Sequence, residues 1–229
     1  MPVAVAILQQ FELLQDLPPE QQEALSKEMS LAEFARRGIV IDRGSRMQSL
    51  GFLIDGRLQG IDFTLDGREV GLYFVAPGDY FGELTVIDGG PAPEHVIALT
   101  RSQVAFLPHE TARRLITSVP ALAERVIQRL SGRVRAASAH RAILSLPNPV
   151  QRLCAQLLTL AKTENQQIKH APTHQEIAIM INTSRETVTR AFQILQNRNI
   201  LARDGSSLLV HDCDTLSKIA DGSQEPPKS

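Results

Sequence analysis

Residues 183–190 run Thr183-Ser184-Arg185-Glu186-Thr187-Val188-Thr189-Arg190. An arginine can hold guanine O6 and N7 with two hydrogen bonds, and a glutamate accepts from cytosine N4. Arg185, Glu186, Thr189 and Arg190 together are able to read base edges, provided a helix presents them near its N-terminus. Elsewhere the acidic residues Asp79, Glu83 and Asp88 offer acid–base carboxylates, but no nucleophile motif, metal-ligand spacing or cofactor fingerprint accompanies them. They read more simply as turn residues, so the chain is not expected to be an enzyme. Cys154 and Cys213 form no CxxC pair and no disulfide framework. His170 and His174 are separated by Pro172 and cannot share a helical face, and His211-Asp212-Cys213-Asp214 reads as solvated surface. No metal site is expected.

The elements that must position the base-reading set are written just upstream. Thr173-His174-Gln175-Glu176 is a capping box, which opens a short apolar helix running to Ile181. Asn182 can take the left-handed turn, and Thr183-Ser184-Arg185-Glu186 is a second capping box, opening a helix to about Asn197. Two short helices and a tight turn predict a helix-turn-helix, with Ile177, Ala178, Ile181, Val188, Phe192 and Leu195 as its shared core. Asp204-Gly205 predicts a hairpin between 200–203 and 206–211, a wing beside the pair. The competing reading is an ordinary helix hairpin with a solvated, charged face.

The N-terminal half has another rhythm. After one or two short helices over 6–27, broken at Pro18-Pro19, Gly and Asp recur through 31–108 between runs of Ile, Val, Leu, Phe and Tyr. Closely spaced strands with turn signals predict a sandwich, barrel or β-roll. In 59–65, Ile61, Phe63 and Leu65 alternate with polar or small residues as a half-buried strand should, and Asp66-Gly67 turns it into 68–75.

After Pro120 the period becomes helical. Ile127, Leu130, Val134, Ala137, Arg141 and Leu144 form a heptad-type stripe about three heptads long. The stripe can bury against this chain or pair with a copy of itself. Pro147-Asn148-Pro149 stops the helix and marks a hinge. A helix over 150–162 follows, then a polar loop from Thr163 to Pro172. The expected domains are 1–120, a helix at 121–146, 147–215, and a disordered tail at 216–229.

The near-zero net charge of −1 hides an asymmetry. Residues 1–120 carry 10 Lys and Arg against 16 Asp and Glu, and residues 121–229 carry 14 against 9, so a net of −6 meets a net of +5. A basic half joined to an acidic one is compatible with a nucleic-acid partner. No apolar run is long enough for a membrane span, and the start lacks a signal-peptide pattern, so a cytoplasmic protein is expected.

The segments 173–177 and 183–190 closely resemble the DNA-reading unit of the Crp/Fnr superfamily, and the order of parts is also that family's. Pro77-Gly78-Asp79-Tyr80-Phe81-Gly82-Glu83-Leu84 is similar to the start of its phosphate-binding cassette. The resemblance implies an α+β chain: a cyclic-nucleotide-binding-like β-roll, a long dimerisation helix and a C-terminal winged helix-turn-helix. It implies a homodimeric transcriptional regulator that binds double-stranded DNA, with RNA polymerase as a possible further partner and no membrane. Arg185, Glu186 and Arg190 correspond to the residues reading a TGTGA-like half-site, and two-fold symmetry implies an inverted repeat. Ser184, Thr187, Thr173 and His174 are the implied phosphate contacts.

The implied effector pocket comprises Gly82, Glu83, Leu84, Glu94, His95, Ala137 and Ser138. Cyclic-AMP binders of the family hold the cyclic phosphate with an Arg-Ser pair about ten residues after the cassette Glu. Here 89–95 contains no Arg and places Glu94 there, and of the usual Thr-Ser pair on the dimer helix only Ser138 remains, after Ala137. These departures speak against cyclic AMP in the usual mode. Cyclic di-GMP, haem on His95 or His140, or no effector at all stay open, whereas an iron–sulfur cluster lacks its N-terminal cysteines. Ala137 and Ser138 are the expected coupling residues between pocket and seam.

Overall fold

The computed structural model describes residues 3–46, 49–65, 67, 69–162, 167–168 and 171–225. The chain divides into two compact units, 1–133 and 134–229, and the division falls inside the long helix rather than at either of its ends.

In the first unit, helices α1 (Val5–Leu8) and α2 (Pro19–Glu28) precede the strands, with the break at Pro18-Pro19 as expected. Gln22 of α2 is buried, and its Nε2 donates to the carbonyls of Leu14, Gln15 and Leu17, which fixes the turn between the helices. Strands β1 (Ser30–Phe34), β2 (Ile39–Ile41), β3 (Ser49–Asp55), β4 (Leu58–Phe63), β5 (Glu69–Val75) and β6 (Tyr80–Phe81) follow. Helix α3 (Glu83–Asp88), strands β7 (His95–Ala98) and β8 (Ser102–Pro108), and helices α4 (His109–Ser118) and α5 (Pro120–Ser145) come next. The strands make two antiparallel four-stranded sheets, ordered β1-β8-β3-β6 and β2-β7-β4-β5.

Period-two alternation decides which core each residue serves. From β3 and β8, Leu50, Phe52, Ala105 and Leu107 point to the helices, where they join Phe11, Leu25, Ile116, Leu122 and Val126. Leu53 and Val104 point the other way and meet Ile41, Leu58, Val75, Val96 and Ala98 of the second sheet. The β-roll is therefore a sandwich with a helical layer on one sheet.

One strand departs from its pattern. In β4 the run from Leu58 to Ile61 is continuously buried, while Phe63 and Leu65 are exposed. The register between β4 and β5 shifts at Gly60/Ile61 with Leu72 as the extra residue on β5, while Phe63 is the last residue of β4 and Leu65 lies beyond the strand. The expected turn residue Asp66 lies outside the described residues. Gly60 has a further role: a Cβ there would sit 2.5 Å from the Tyr73 ring, so only glycine lets that ring lie against β4.

The second unit holds the rest of α5, then α6 (Pro149–Lys162), with Pro149 as the first helical residue. Strand β9 (Gln167–Ile168), helices α7 (His174–Met180) and α8 (Arg185–Asn197), strands β10 (Leu201–Asp204) and β11 (Ser207–Val210), and helix α9 (Cys213–Ala220) complete it. The strands pair antiparallel in the order β10-β11-β9. The segment read as a polar loop thus contributes a strand to the wing, through Ile168 opposite Leu208. The wing turn is one residue later than expected, since Asp204 pairs with Ser207 and Gly205 takes φ +56°.

The expected disordered tail is also corrected. Asp212 caps α9 by accepting from the Thr215 amide at 2.9 Å, and Leu216 and Ile219 are fully buried. Helices α6 and α9 pack on each other, so the fold continues to Ala220, and 212–214 is a helix start rather than free surface. Residues 226–229 of that expected tail lie outside the described residues.

Candidate nucleic-acid interface and sensor pocket

Helix α7 begins where its sequence says. Thr173 Oγ1 accepts from the Glu176 amide at 3.2 Å, and Glu176 Oε2 accepts from the Thr173 amide at 2.9 Å, so both halves of the box form. Asn182 takes φ +50° in the turn, and its carbonyl accepts from Arg152 Nη2 of α6 at 3.3 Å. The second box forms differently from the expectation. The N-cap is Ser184, whose Oγ accepts from the Thr187 amide at 3.2 Å, and Thr183 lies outside the helix. With the cap one residue later, Glu186 falls at the second helical position and cannot close a box; the Ser184 and Thr187 hydroxyls pair instead at 3.1 Å.

The expected core residues Ile177, Ala178, Ile181, Val188, Phe192 and Leu195 are all buried. The opposite face of α8 presents Arg185, Glu186 and Arg190 to solvent, with Thr187 and Thr189 half-buried. Among the described residues Arg185 and Arg190 make no ion pair. The Glu186 backbone amide, and then the Ser184 hydroxyl, hold the Glu186 carboxyl below its usual range. A hydrogen-bond acceptor therefore sits between two cations.

His174, one of the expected phosphate contacts, is also held by its neighbours. It is half-buried, its ring stacks on Phe192 at 4.5 Å, and its Nδ1 lies 2.9 Å from Thr189 Oγ1. Burial, and then the charges of Arg203 and Arg185, lower its pKa. His174 thus ties α7 to the reading face of α8. Arg203, on β10, is an exposed cation of the wing that the sequence reading passed over. Thr173 and Ser184 are both engaged as caps. His170 lies outside the described residues.

The β-roll pocket assembles Gly82, Glu83, Leu84 and Glu94 as expected, with Tyr73 and Arg133 as additions. Gly82 opens α3 at φ +83°, a left-handed conformation that favours glycine and turns Glu83 inward. Glu83 is fully buried and accepts from Arg133 Nη1 of α5, while its Oε2 has no hydrogen-bond partner among the described residues. Arg133 Nη2 lies 3.7 Å from Glu94 Oε1, and Tyr73 Oη donates to that same oxygen at 2.5 Å. The guanidinium sits over the Tyr73 ring, 4.2 Å from its centroid. Burial works against the Arg133 charge, but Glu83 and the rest of the cluster outweigh it and the guanidinium stays protonated. Burial and then Glu94 raise the Tyr73 phenol, so it remains a donor.

Arg133 is the pocket-lining residue the sequence reading missed. It lies fifty residues from Glu83, and no motif links them. The cassette lacks an Arg, yet α5 supplies one. One turn earlier, Arg129 repeats the arrangement, pairing with Asp79 at 2.9 Å, donating to the Tyr80 carbonyl at 2.6 Å and covering the Tyr80 ring at 4.2 Å. These side chains leave a pocket cavity of only about 10 Å³.

The remaining expected pocket residues are not in this cluster. His95 does not line the cavity; its Nδ1 lies 2.8 Å from Asp42 Oδ1 and its ring meets Phe63 edge-on at 5.4 Å. Ala137 and Ser138 belong to the second unit and are exposed. Along the α5 stripe, Ile127 and Val134 are 62% and 66% exposed, and Ala137 and Arg141 are exposed as well. Leu130 instead leans on the first unit's core and Leu144 is half-buried, so the stripe is open on only part of its width. Among the described residues no helix is long and apolar enough to cross a membrane.

Residues 151–219 match the Crp-like helix-turn-helix domain, and residues 31–118 match the cyclic nucleotide-binding domain. The chain is similar to the CRP-like cAMP-activated global transcriptional regulator of Mycobacterium tuberculosis, with 29% identity over 220 residues, covering 93% of this chain and 98% of that protein. It is 26% identical over 215 residues to the cyclic AMP receptor protein of Thermus thermophilus, covering 92% and 97%. Among solved structures, FixK2 from Bradyrhizobium japonicum superposes with a TM-score of 0.71 at 18% identity, over 83% of this chain and 96% of that one. The c-di-GMP responsive global regulator CLP of Xanthomonas campestris gives 0.62 at 21% identity, over 81% and 95%. At these identities the two structures share the fold.

Proposed function

The chain belongs to the Crp/Fnr family of transcriptional regulators, and from that premise we propose that it works as a homodimer reading a TGTGA-like inverted repeat through α8. One observation carries this reading: Arg185, Glu186 and Arg190 stand exposed on the first turns of α8, while the other face of that helix is spent on the core. Arg185 and Arg190 suit guanine and Glu186 suits cytosine. The wing cation Arg203 and the Ser184 and Thr187 hydroxyls supply backbone contacts. The open apolar positions Ile127 and Val134 on α5 are where a second copy pairs, which sets the spacing of the two half-sites.

The test is a mobility shift on an inverted TGTGA repeat and on a scrambled duplex, at two salt concentrations. Arg185→Ala is expected to lose about 1–3 kcal/mol on the repeat and much less on the scrambled duplex. Undiminished discrimination by the variant overturns the assignment.

The β-roll is proposed as the effector-responsive part, with an effector other than cyclic AMP. The M. tuberculosis relative is described as cAMP-activated, but here the anion-binding Arg is missing from 89–95 and Glu94 stands at that place. A second reading, a regulator competent without any effector, is favoured by the cavity volume. Small-molecule sites typically offer about 300–1,000 Å³, and here the chain's own side chains occupy that space.

A further inference from the structure

The pocket's own chemistry names an effector class. Two carboxylates, Glu83 and Glu94, face one guanidinium, Arg133, and an aromatic face, Tyr73, already covers that cation. Glu83 is fully buried, and among the described residues its Oε2 is an acceptor with no donor. An anion entering here meets two negative charges, and the single cation is already engaged. A cation instead finds what cation sites are made of: carboxylates for charge-assisted hydrogen bonds and a ring face for cation–π contact.

We infer that the β-roll pocket is a site for a small organic cation bearing a guanidinium or primary ammonium group, and that Arg133 is its tethered internal occupant. The inference rests on the reading of the β-roll as the effector domain. Binding is then an exchange. The incoming cation takes Glu83 and Glu94 and stacks on Tyr73, while Arg133 leaves. Arg133 lies within the first unit, so the exchange releases this turn of α5 from the β-roll. Arg129, still paired with Asp79, keeps the preceding turn in place. The tether also sets the affinity, because a free cation must compete with one that is always present.

The test uses the full chain without DNA, so its outcome is independent of the DNA-reading assignment. Methylguanidinium chloride and agmatine are titrated by calorimetry into the wild type and into Arg133→Ala, with cyclic AMP and sodium chloride as comparisons. Removing the tether is expected to strengthen methylguanidinium binding by about tenfold or more, and adding Glu83→Gln to that variant is expected to abolish the gain. If Arg133→Ala does not fold, the wild type decides alone: agmatine raises its melting temperature and cyclic AMP does not. Equal methylguanidinium binding with and without Glu83, or heat and stabilisation from cyclic AMP but not from agmatine, overturns the inference.

Discussion

Replacing Glu83 by Gln keeps the shape of the side chain and removes its charge. Arg133 then keeps only Glu94, at 3.7 Å. Breaking one partner of a fully buried ion pair typically costs about 3–5 kcal/mol. Glu83 is fully buried, but 28% of the Arg133 side chain is exposed and water can solvate part of the abandoned cation, so the expected loss falls to roughly 2 kcal/mol. For a unit of this size each kcal/mol moves the melting temperature by roughly 3–5 °C, so scanning calorimetry should find the first unit melting about 6–10 °C lower. Arg133→Met leaves Glu83 buried without a partner and should cost at least as much. The double variant Glu83→Gln/Arg133→Met removes both charges and should recover more than about 1 kcal/mol relative to the sum of the singles. Strict additivity would show that the two residues are not coupled and that the pocket is not built on this pair.

Gly60→Ala drives a Cβ into the Tyr73 ring and should displace it from Arg133, costing about 1–3 kcal/mol in urea unfolding; an unchanged midpoint would mean that the ring has room to move. Ser184→Ala removes the cap of α8 and should cost about 1 kcal/mol, whereas Thr183→Ala should change little, and the reverse order would restore the capping box read from the sequence. Leu216→Ala opens a cavity between α9 and α6 and should cost about 2–5 kcal/mol, and a variant as stable as the wild type would return 216–220 to the status of a tail. His174 has a lowered pKa in the fold, so its contribution is complete above the unfolded value near 6.5 and is lost as pH falls through the lower folded value. Acid should therefore destabilise the second unit less in His174→Gln than in the wild type, and parallel pH profiles would contradict this.

The DNA-facing half was largely legible in the sequence because its signals are local. The Thr173–Glu176 box, Asn182 in the turn and the six core positions each depend on neighbours within a few residues. Where two caps compete side by side, at Thr183 and Ser184, the sequence does not rank them, and the turn geometry chooses Ser184. The pocket was only half legible because its cation arrives through tertiary packing: Arg133 lies on α5, and Tyr73 reaches the same point from β5 only because Gly60 admits its ring. The alternation through Phe63 and Leu65 misled because β4 ends at Phe63, and a hydrophobicity pattern does not mark where a strand leaves the core. Helix α9 is short and lies in a stretch rich in polar residues, and only its two buried apolar side chains give it away.

Glu186 has a kinetic side. On the proposed reading its carboxylate lies between the cations Arg185 and Arg190, so an encounter with a phosphate backbone meets some repulsion that a lone pair of arginines would not impose. A correctly placed cytosine amino group answers that charge. If Glu186 reads cytosine as proposed, it shortens residence on wrong sequences as well as strengthening the right one, and a regulator searching a genome crowded with competing sites is released sooner to continue. A Gln at this position would hold random DNA more tightly and find its repeat more slowly.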